Sequence, residues 1–435
     1  MNTSTEELAG FVAGIDSLAL PDSVIRLASQ HALEVIAGLF AGREVPEAIH
    51  VNRILGHDAG SRTGAFAMLS HAAESDPIHA ITTVCAGLVA VPPALMFAEN
   101  GKTAIASILA GYETSIRIGE ALGSSRLLRQ GWWPTAVVGA AGSAAAACPA
   151  LGLGKTETRN AIALGLLHAG GLGTGAPEAP ESRNLLAANC VRLGVEAADA
   201  AQQGVGGAKE PLAGERGFLF AFGGEPDPDR LLAGLGDTWK IAETSLKRYP
   251  CALQAQTALA AIDGVVSENG FSIPEISAIR IYLPDAMLRI VGRPGVPSSH
   301  FAAAANLRFL AALLIADGNV TPQRMNDGGR SDPAVSALME LISVEHDRAL
   351  DSRHPQAWPA RVQIETAGDI VEAATDVPPG HPSNPLDMTV SIDRFREFSR
   401  HHLTPDAQND VIDRVLELSE LRDLTSLRET LGLAL

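Results

Sequence analysis

Several side chains that can transfer protons lie close together in the first quarter of the sequence. Within fifteen positions the chain carries His71, Glu74, Asp76, His79 and Cys85. Burial and neighbouring charges can adjust the pKa values of such groups for acid–base chemistry. If Pro77 occupies the first turn of a helix, Asp76 and His79 lie one turn apart and could form a general acid/base pair. Glu74 is an alternative base, and a capping aspartate with a buried structural histidine is the alternative interpretation of the pair.

Further candidates depend on the elements around them. Lys247 lies where the helical pattern gives way to a strand-containing region, and clefts tend to form at such boundaries. A lysine there can hold a carboxylate, or lose its proton if it is desolvated; a surface lysine near a linker is the alternative. Cys85 lies in an apolar segment, where cysteine is usually an inert small hydrophobic residue rather than a nucleophile.

Composition limits the classes of function. The chain has 435 residues and a net charge of −17, which argues against a nucleic-acid partner although a local cationic pocket stays possible. The four cysteines have no C-x-x-C spacing, so neither a zinc site nor a disulfide framework is expected. Proline interrupts the long uncharged segments, and the first residues lack a signal-peptide pattern. We therefore expect a cytoplasmic protein with no membrane span.

The pattern of apolar residues predicts a mainly α protein. A large all-helical bundle is expected from residues 1–253 and 386–435, with a smaller α+β domain inserted at 254–385. Within the bundle, 3.6-residue periodicity predicts helices at Ala80–Phe97, Ala104–Leu122, Thr135–Leu151, Lys155–His168 and Asn184–Gln203. Alternation of apolar and polar residues predicts strands at 276–283 and 360–366.

Several motifs, in the same order, resemble the MmgE/PrpD family, which includes 2-methylcitrate dehydratase, cis-aconitate decarboxylase and iminodisuccinate epimerase. They are His71-(x4)-Asp76-(x2)-His79, Cys85-Ala-Gly87, Ala110-Gly-Tyr-Glu113, Gly131-Trp-Trp-Pro-Thr135, Lys247-Arg-Tyr-Pro-Cys251 and Pro379-Gly-His-Pro382. The resemblance implies an all-helical domain interrupted by an α+β domain, a homodimer and no cofactor or metal. It also implies a small carboxylate substrate.

The chain departs from the family pattern at the polar positions of the implied pocket. Residues other than the usual histidines, lysine and tyrosine stand at Cys85, Trp133, Arg183, Gln256 and Phe309, whereas Lys247 is unchanged. Trp133 and Phe309 would be pocket walls or signs of a decayed site. Arg183 can hold a carboxylate with two hydrogen bonds, or be a solvated arginine at a helix start. Thr135 and Arg248 complete the substrate-binding candidates, although Arg248 is expected to face solvent.

The resemblance implies chemistry that removes a proton α to a carboxylate, which requires a base and cations to hold the developing negative charge. Lys247 and Arg183 would supply the cations, and Glu74, Asp76 or His79 the base. We predict a lyase acting on a small di- or tricarboxylate, with an epimerase or other isomerase as the first alternative. A catalytically lapsed binding protein is the second, and new chemistry on a less polar substrate is the third.

Overall fold

The structure is a computed structural model that describes residues 3–15, 19–173, 179–270, 273–354, 356–366 and 368–433. The chain is mainly helical, as the sequence predicts, and carries one small sheet in its described part. The first half contains α1 (Ser4–Gly14), α2 (Asp22–Gly42), α3 (Pro46–Asn52), α4 (Ala59–Ala72), α5 (Ala86–Phe97), α6 (Gly101–Leu122), α7 (Ser125–Arg129), α8 (Pro134–Ala150), α9 (Lys155–Leu166), α10 (Pro180–Gln202) and α11 (Phe218–Phe222).

Small residues let these helices approach closely. A side chain at Gly42 would place its Cβ 1.9 Å from the carbonyl oxygen of Leu69, and one at Gly38 would lie 2.7 Å from that of Ser70. Only glycine fits where α2 crosses α4 at this distance. The abundance of alanine and glycine therefore serves helix packing, and the close crossing fixes the last turn of α4, which carries His71.

The second region surrounds the sheet. It contains α12 (Gln256–Asn269), β1 (Ile276–Leu283), α13 (Asp285–Val291), α14 (His300–Ala304), α15 (Leu307–Asp317), α16 (Pro322–Met325), α17 (Asp327–Arg330), α18 (Pro333–Glu340), β2 (Ile342–His346), α19 (Arg348–Asp351), β3 (Ala360–Thr366) and β4 (Ile370–Thr375). The strand order is β2-β1-β3-β4, with β1 parallel to β2 and the other pairs antiparallel. Ile279 pairs with Ile342 on one side and Ile364 on the other, and all three are buried, so one face of the central strand joins the apolar core.

The last helices are α20 (Met388–Ser399), α21 (Pro405–Leu416) and α22 (Thr425–Leu431). Their residues Phe395, Val411 and Leu427 pack into the same apolar cluster as α1–α10, whereas residues 249–364 supply the second cluster. A buried ion pair between Arg394 and Glu34 joins α20 to α2. These contacts join helices from residues 386–435 to helices from residues 1–253. The division into domains at residues 253 and 385 stays a prediction.

One predicted helix begins later than expected. Ala80–Phe97 was the predicted range, but α5 begins at Ala86, and residues 77–85 form turns and isolated bridges. Ile78 pairs with Ser245, and His79 pairs with Val84. Thr83 has a φ of +55°, which a β-branched residue in a helix cannot adopt. Long-range pairing has therefore overridden the helical pattern, and Asp76 and His79 do not share a helix.

One helix among the described residues, Asp22–Gly42, is long and apolar enough to cross a membrane by length and composition. Its apolar window is 83% buried inside the protein, and helices at the core of a protein pass the same test. The helix thus gives only weak evidence of a membrane segment.

Candidate active site

A strained turn after α4 starts the candidate site. The helix ends at Ala72, and Glu74 follows with a φ of +54°, a left-handed conformation that costs a non-glycine residue of order 1–3 kcal/mol. The Glu74 amide donates to the carbonyl oxygen of His71 at 2.9 Å and closes the turn. A strained conformation persists where surrounding contacts hold it in place. At Glu74 these contacts are made to its carbonyl oxygen and to its carboxylate.

Lys247 makes those contacts. Its Nζ donates to the Glu74 carbonyl oxygen at 2.9 Å and lies 3.5 Å from both Glu74 Oε2 and Asp76 Oδ1. The lysine is only 3% exposed. One ammonium group therefore bridges two acids from the turn, and the three side chains form a buried ionic cluster.

Two backbone pairings hold Lys247 in place. Ser245 exchanges hydrogen bonds with Ile78 at 3.0 and 2.9 Å, and the Leu246 amide donates to the Gly380 carbonyl oxygen at 2.9 Å. Gly380 has a φ of +89°, and a Cβ there would lie 1.8 Å from the Leu246 oxygen, so only glycine fits. The Pro379-Gly-His-Pro382 motif therefore supports the segment that carries Lys247.

His71 links the acids to a second cation. Its Nδ1 lies 3.3 Å from Asp76 Oδ1, and Arg183 Nε donates to its Nε2 at 3.0 Å. Because a guanidinium group can only donate, Nε2 must accept and the imidazole proton must lie on Nδ1, facing Asp76. The Trp133 ring packs 5.0 Å from the imidazole. Arg183 itself lies between the rings of Trp133 and Phe301, at 4.9 and 4.7 Å, and 3.4 Å from a Glu74 oxygen.

The charges of this cluster stabilise one another. Burial disfavours ionisation of Asp76, but Lys247 and His71 outweigh burial and hold the pKa of this carboxyl well below its usual range. Arg183 and Lys247 likewise outweigh burial and lower the pKa of Glu74. Burial opposes the charge on Lys247, yet Asp76 and Glu74 raise its pKa above the usual value. Lys247 is therefore a permanent cation at neutral pH, and both acids are weak bases.

A cavity of about 330 Å³ opens beside the cluster. Glu74, Cys85, Trp133, Arg183 and Lys247 line one part of it, and Phe301 and Arg293 contribute from the second region. The cavity thus lies between the second apolar cluster, to which Leu253 and Ala304 belong, and a small third cluster that contains Cys85 and Trp133. Burial, followed by the charge of Asp76, raises the pKa of the Cys85 thiol well above its ordinary value, so Cys85 is a neutral group there.

The structure brings together many of the residues that the sequence singled out. Glu74, Cys85, Trp133, Arg183 and Lys247 line the cavity, and Asp76 contacts Lys247 directly. Thr135 is buried behind the wall, where its Oγ1 accepts a hydrogen bond from the Cys85 amide at 3.0 Å.

Four predicted site residues lie elsewhere, outside the lining of this cavity. The His79 Nδ1 lies 2.8 Å from Thr82 Oγ1, and its Nε2 lies 3.8 Å from Glu243. The Arg248 guanidinium lies over the Tyr249 ring and lines a different surface pocket. Gln256 accepts from the Tyr249 amide and donates to its carbonyl oxygen, and Phe309 is packed in the second apolar cluster.

Sequence reasoning missed Phe301 and Arg293, and it counted His71 among the proton-transferring groups without giving it a role in the site. Phe301 and Arg293 belong to the region that was expected to be a separate domain, and no motif marks them. His71 was within the titratable group, and its five-residue separation from Asp76 places the pair across a turn rather than on one helix face.

Two groups of described residues have metal-ligand chemistry. Ligand atoms of His71, Asp76 and Cys85 lie within 4.8 Å of one another, as do those of His79, Glu120 and Glu243. In the first group Lys247 and Arg183 already place positive charge beside Asp76 and His71. In the second group the Lys240 ammonium binds both carboxylates, at 3.0 and 2.9 Å. Both arrangements satisfy the acids with side-chain cations, which opposes a metal ion.

The fold and site define a mainly helical protein with a buried lysine–carboxylate cluster beside a cavity. The family model of the MmgE/PrpD N-terminal domain matches residues 6–231, and that of the C-terminal domain matches residues 249–418. The chain therefore belongs to the MmgE/PrpD family, and the resemblance in the sequence motifs is confirmed.

Individual relatives are distant. The chain is 28% identical to the cis-aconitate decarboxylase of Homo sapiens over 68% of its own length and 61% of that protein. It is 24% identical to the cis-aconitate decarboxylase of Aspergillus terreus over 98% of its own length and 96% of that protein. The 2-methylcitrate dehydratase of Cupriavidus necator is 25% identical over 64% of this chain and 60% of the dehydratase. The match thus covers less than two thirds of the human and bacterial proteins.

Proposed function

We propose that this protein is a lyase-type enzyme that acts on a small di- or tricarboxylate by removing a proton α to a carboxylate, without a cofactor. The observation that carries the proposal is Lys247, a buried and permanently charged ammonium group beside a cavity. A fixed cation in a water-poor site stabilises the negative charge that develops when a carbon acid loses its proton. The decarboxylase and dehydratase relatives support this class of chemistry.

Arg183 is the proposed substrate clamp. Its guanidinium lies at the cavity, sandwiched by Trp133 and Phe301, and its fork can bind a carboxylate with two hydrogen bonds. Its contact with Glu74 is 3.4 Å long, so an incoming carboxylate can compete for it. Binding of substrate would draw Arg183 away from His71.

His71 is the proposed base, with Asp76 as its positioning residue. Asp76 holds the Nδ1 proton, which leaves Nε2 with a free electron pair once Arg183 turns to the substrate. The Cα–H proton would then pass to Nε2, and the electron pair would spread onto the carboxylate beside Lys247. Asp76 and Glu74 themselves are weak bases because their pKa values are lowered. His71 lies behind the described lining but contacts two residues of it, Arg183 and Trp133. His79 contacts Thr82 and Glu243 instead, which are not part of that lining.

Loss of a hydroxyl leaving group needs a proton donor that this site has largely lost. Trp133 stands where the family has a histidine, and Phe309 is packed in the apolar core. Removal and return of an α-proton need no leaving group. Inversion, as in an epimerase, would require a second proton-transfer group on the opposite face. The described polar residues that line the cavity from the second region are Gln254 and Arg293, and an amide or a guanidinium group is not a usual general acid or base.

Proton exchange is therefore the test of the proposed function. In D₂O, the purified protein should replace the α-protons of succinate, malate or citrate with deuterium faster than buffer alone, measured as loss of the proton NMR signal. Turnover of 2-methylcitrate or cis-aconitate should be weak or undetectable. A lapsed binding protein would bind these anions without exchange. Fast dehydration of 2-methylcitrate would contradict our account of the missing proton donors.

We also propose that the protein is a cytoplasmic homodimer with no nucleic-acid or membrane partner. The family resemblance and the net charge of −17 support this proposal. Light scattering at micromolar concentration should give twice the 45.3 kDa chain mass. A single-chain mass would contradict the dimer, and recovery of the protein in the membrane fraction of its source cells would contradict the compartment.

A further inference from the structure

The cavity beside Lys247 has one charged part and one apolar wall. The apolar wall consists of Ala252, Leu253, Ile290, Ala304 and Ala305. The Ala252 amide donates to the Ala304 carbonyl oxygen at 2.9 Å, so two separate segments form a continuous surface. Leu253, Ala304 and Ala305 are at most 5% exposed. These five residues therefore present aliphatic side chains to the cavity.

Cations are concentrated at the other part of the cavity. Lys247 and Arg183 both lie within 3.5 Å of Glu74, so they form one anion site rather than two distant ones. Arg293 is the remaining cation in the described lining, and its Nε donates to the Ile290 carbonyl oxygen at 3.2 Å. A carboxylate pressed against the five residues of the apolar wall would lose its hydration, and the one cation of the described lining beside that wall is Arg293.

The cavity is also larger than the charged part requires. Its volume of about 330 Å³ is within the range of small-molecule sites, which are mostly apolar with a few fixed polar groups. The wall is built largely from alanine, and this leaves space rather than filling it. Ile78 and Leu128 add apolar surface from the first region.

We infer that the substrate is an alkyl-substituted carboxylate, with its carboxylates at Lys247 and Arg183 and a hydrocarbon arm against the apolar wall. This inference rests on the proposed function because it uses the same carboxylate site. The inference disfavours a compact tricarboxylate as the substrate, because one of its carboxylates would lie against the apolar wall. Each buried methylene contributes about 0.8 kcal/mol, which is about a fourfold gain in affinity.

Binding of an alkyl series tests the inference. The dissociation constants of succinate and of 2-methyl-, 2-ethyl-, 2-propyl- and 2-butylsuccinate are measured by calorimetry with the full-length protein. Affinity should rise about fourfold per added carbon until the wall is covered. Equal binding of succinate and all its alkyl derivatives would overturn the hydrocarbon arm and leave the carboxylate site standing. Absence of binding by every compound would overturn both.

Substitutions in the apolar wall test whether the gain in affinity per added carbon arises there. Ala252→Leu fills the space, so the gain per carbon should disappear while the succinate affinity stays within about twofold. Ala260→Leu is the matched control, because Ala260 is also half-buried but lines a different surface pocket. Ile290→Ser, which removes alkyl surface from the wall, should weaken 2-butylsuccinate binding at least fourfold and gives a second readout if Ala252→Leu fails to fold. If both wall variants kept the full gain in affinity per added carbon, the placement of the hydrocarbon arm against this wall would be overturned.

Discussion

Replacing Lys247 by alanine is expected to lower the rate of α-proton exchange at least 100-fold. The ammonium group is a fixed charge that lines the cavity and lies 3.5 Å from both acids of the site, and loss of one donor to a developing anion typically costs 10²–10³ in rate. The rate is measured by proton NMR in D₂O with the substrate that exchanges fastest. Lys102→Ala, which removes an exposed lysine, is the control and should exchange at the wild-type rate.

The same substitution should also reduce stability. Removing Lys247 leaves Asp76 buried without its ammonium partner and Glu74 with Arg183 alone, and breaking a buried ion pair from one side costs about 3–5 kcal/mol of unfolding free energy. Lys247→Arg keeps the charge and should recover most of that loss. Exchange in Lys247→Ala at the wild-type rate, with the protein folded by circular dichroism, would remove the lysine from the mechanism.

The pKa directions fix how the stability of the wild type depends on pH. The pKa of Asp76 is lowered on folding, so its contribution is present above the unfolded value of about 4 and is lost as pH falls through the folded value. The pKa of Lys247 is raised, so its contribution is present below about 10.4 and is lost as pH rises through the folded value. The contribution of Asp76 and Lys247 to the free energy of unfolding of the wild type is therefore constant between about pH 5 and 9.

Lys247→Ala should depend on pH in a different way. Without the ammonium group, burial raises the pKa of Asp76, and protonation relieves its unpaired charge, whereas Glu74 keeps Arg183 as a partner. The difference in unfolding free energy between wild type and variant should therefore narrow as pH falls toward 4. Urea titrations of both proteins at several pH values measure this difference in unfolding free energy.

The sequence predicted the helical class, two of the four described strands and five of the seventeen described lining residues of the cavity, because these follow from periodicity and from motifs near the site. Ile276–Leu283 and Ala360–Thr366 are strands as predicted. The interval 77–85 was predicted wrongly because its pairing partner, Ser245, is far away in sequence. Phe301 and Arg293 could not be predicted, since only the folded chain brings their segment to the turn after α4.

His71→Gln is expected to lower the exchange rate 10²–10⁴-fold, the usual contribution of a general base. The amide of glutamine can still contact Asp76 and Arg183 but cannot take up a proton. Succinate affinity should therefore stay within about threefold of the wild type, so that the loss is in the rate of exchange and not in binding. Asp76→Asn should slow exchange as well, because the amide no longer fixes the Nδ1 proton of His71.

His79→Gln is the matched control, because His79 is equally buried, at 1% exposure, but contacts Thr82 and Glu243 rather than residues that line the cavity. If the His71–Asp76 pair is the base, His79→Gln should retain at least half of the wild-type exchange rate. The opposite result, in which His79→Gln loses exchange and His71→Gln keeps it, would return the base to the Asp76–His79 pair that the sequence suggested. The two substitutions therefore decide which histidine takes the proton: His71, which contacts Asp76 in the folded chain, or His79, which the sequence spacing suggested.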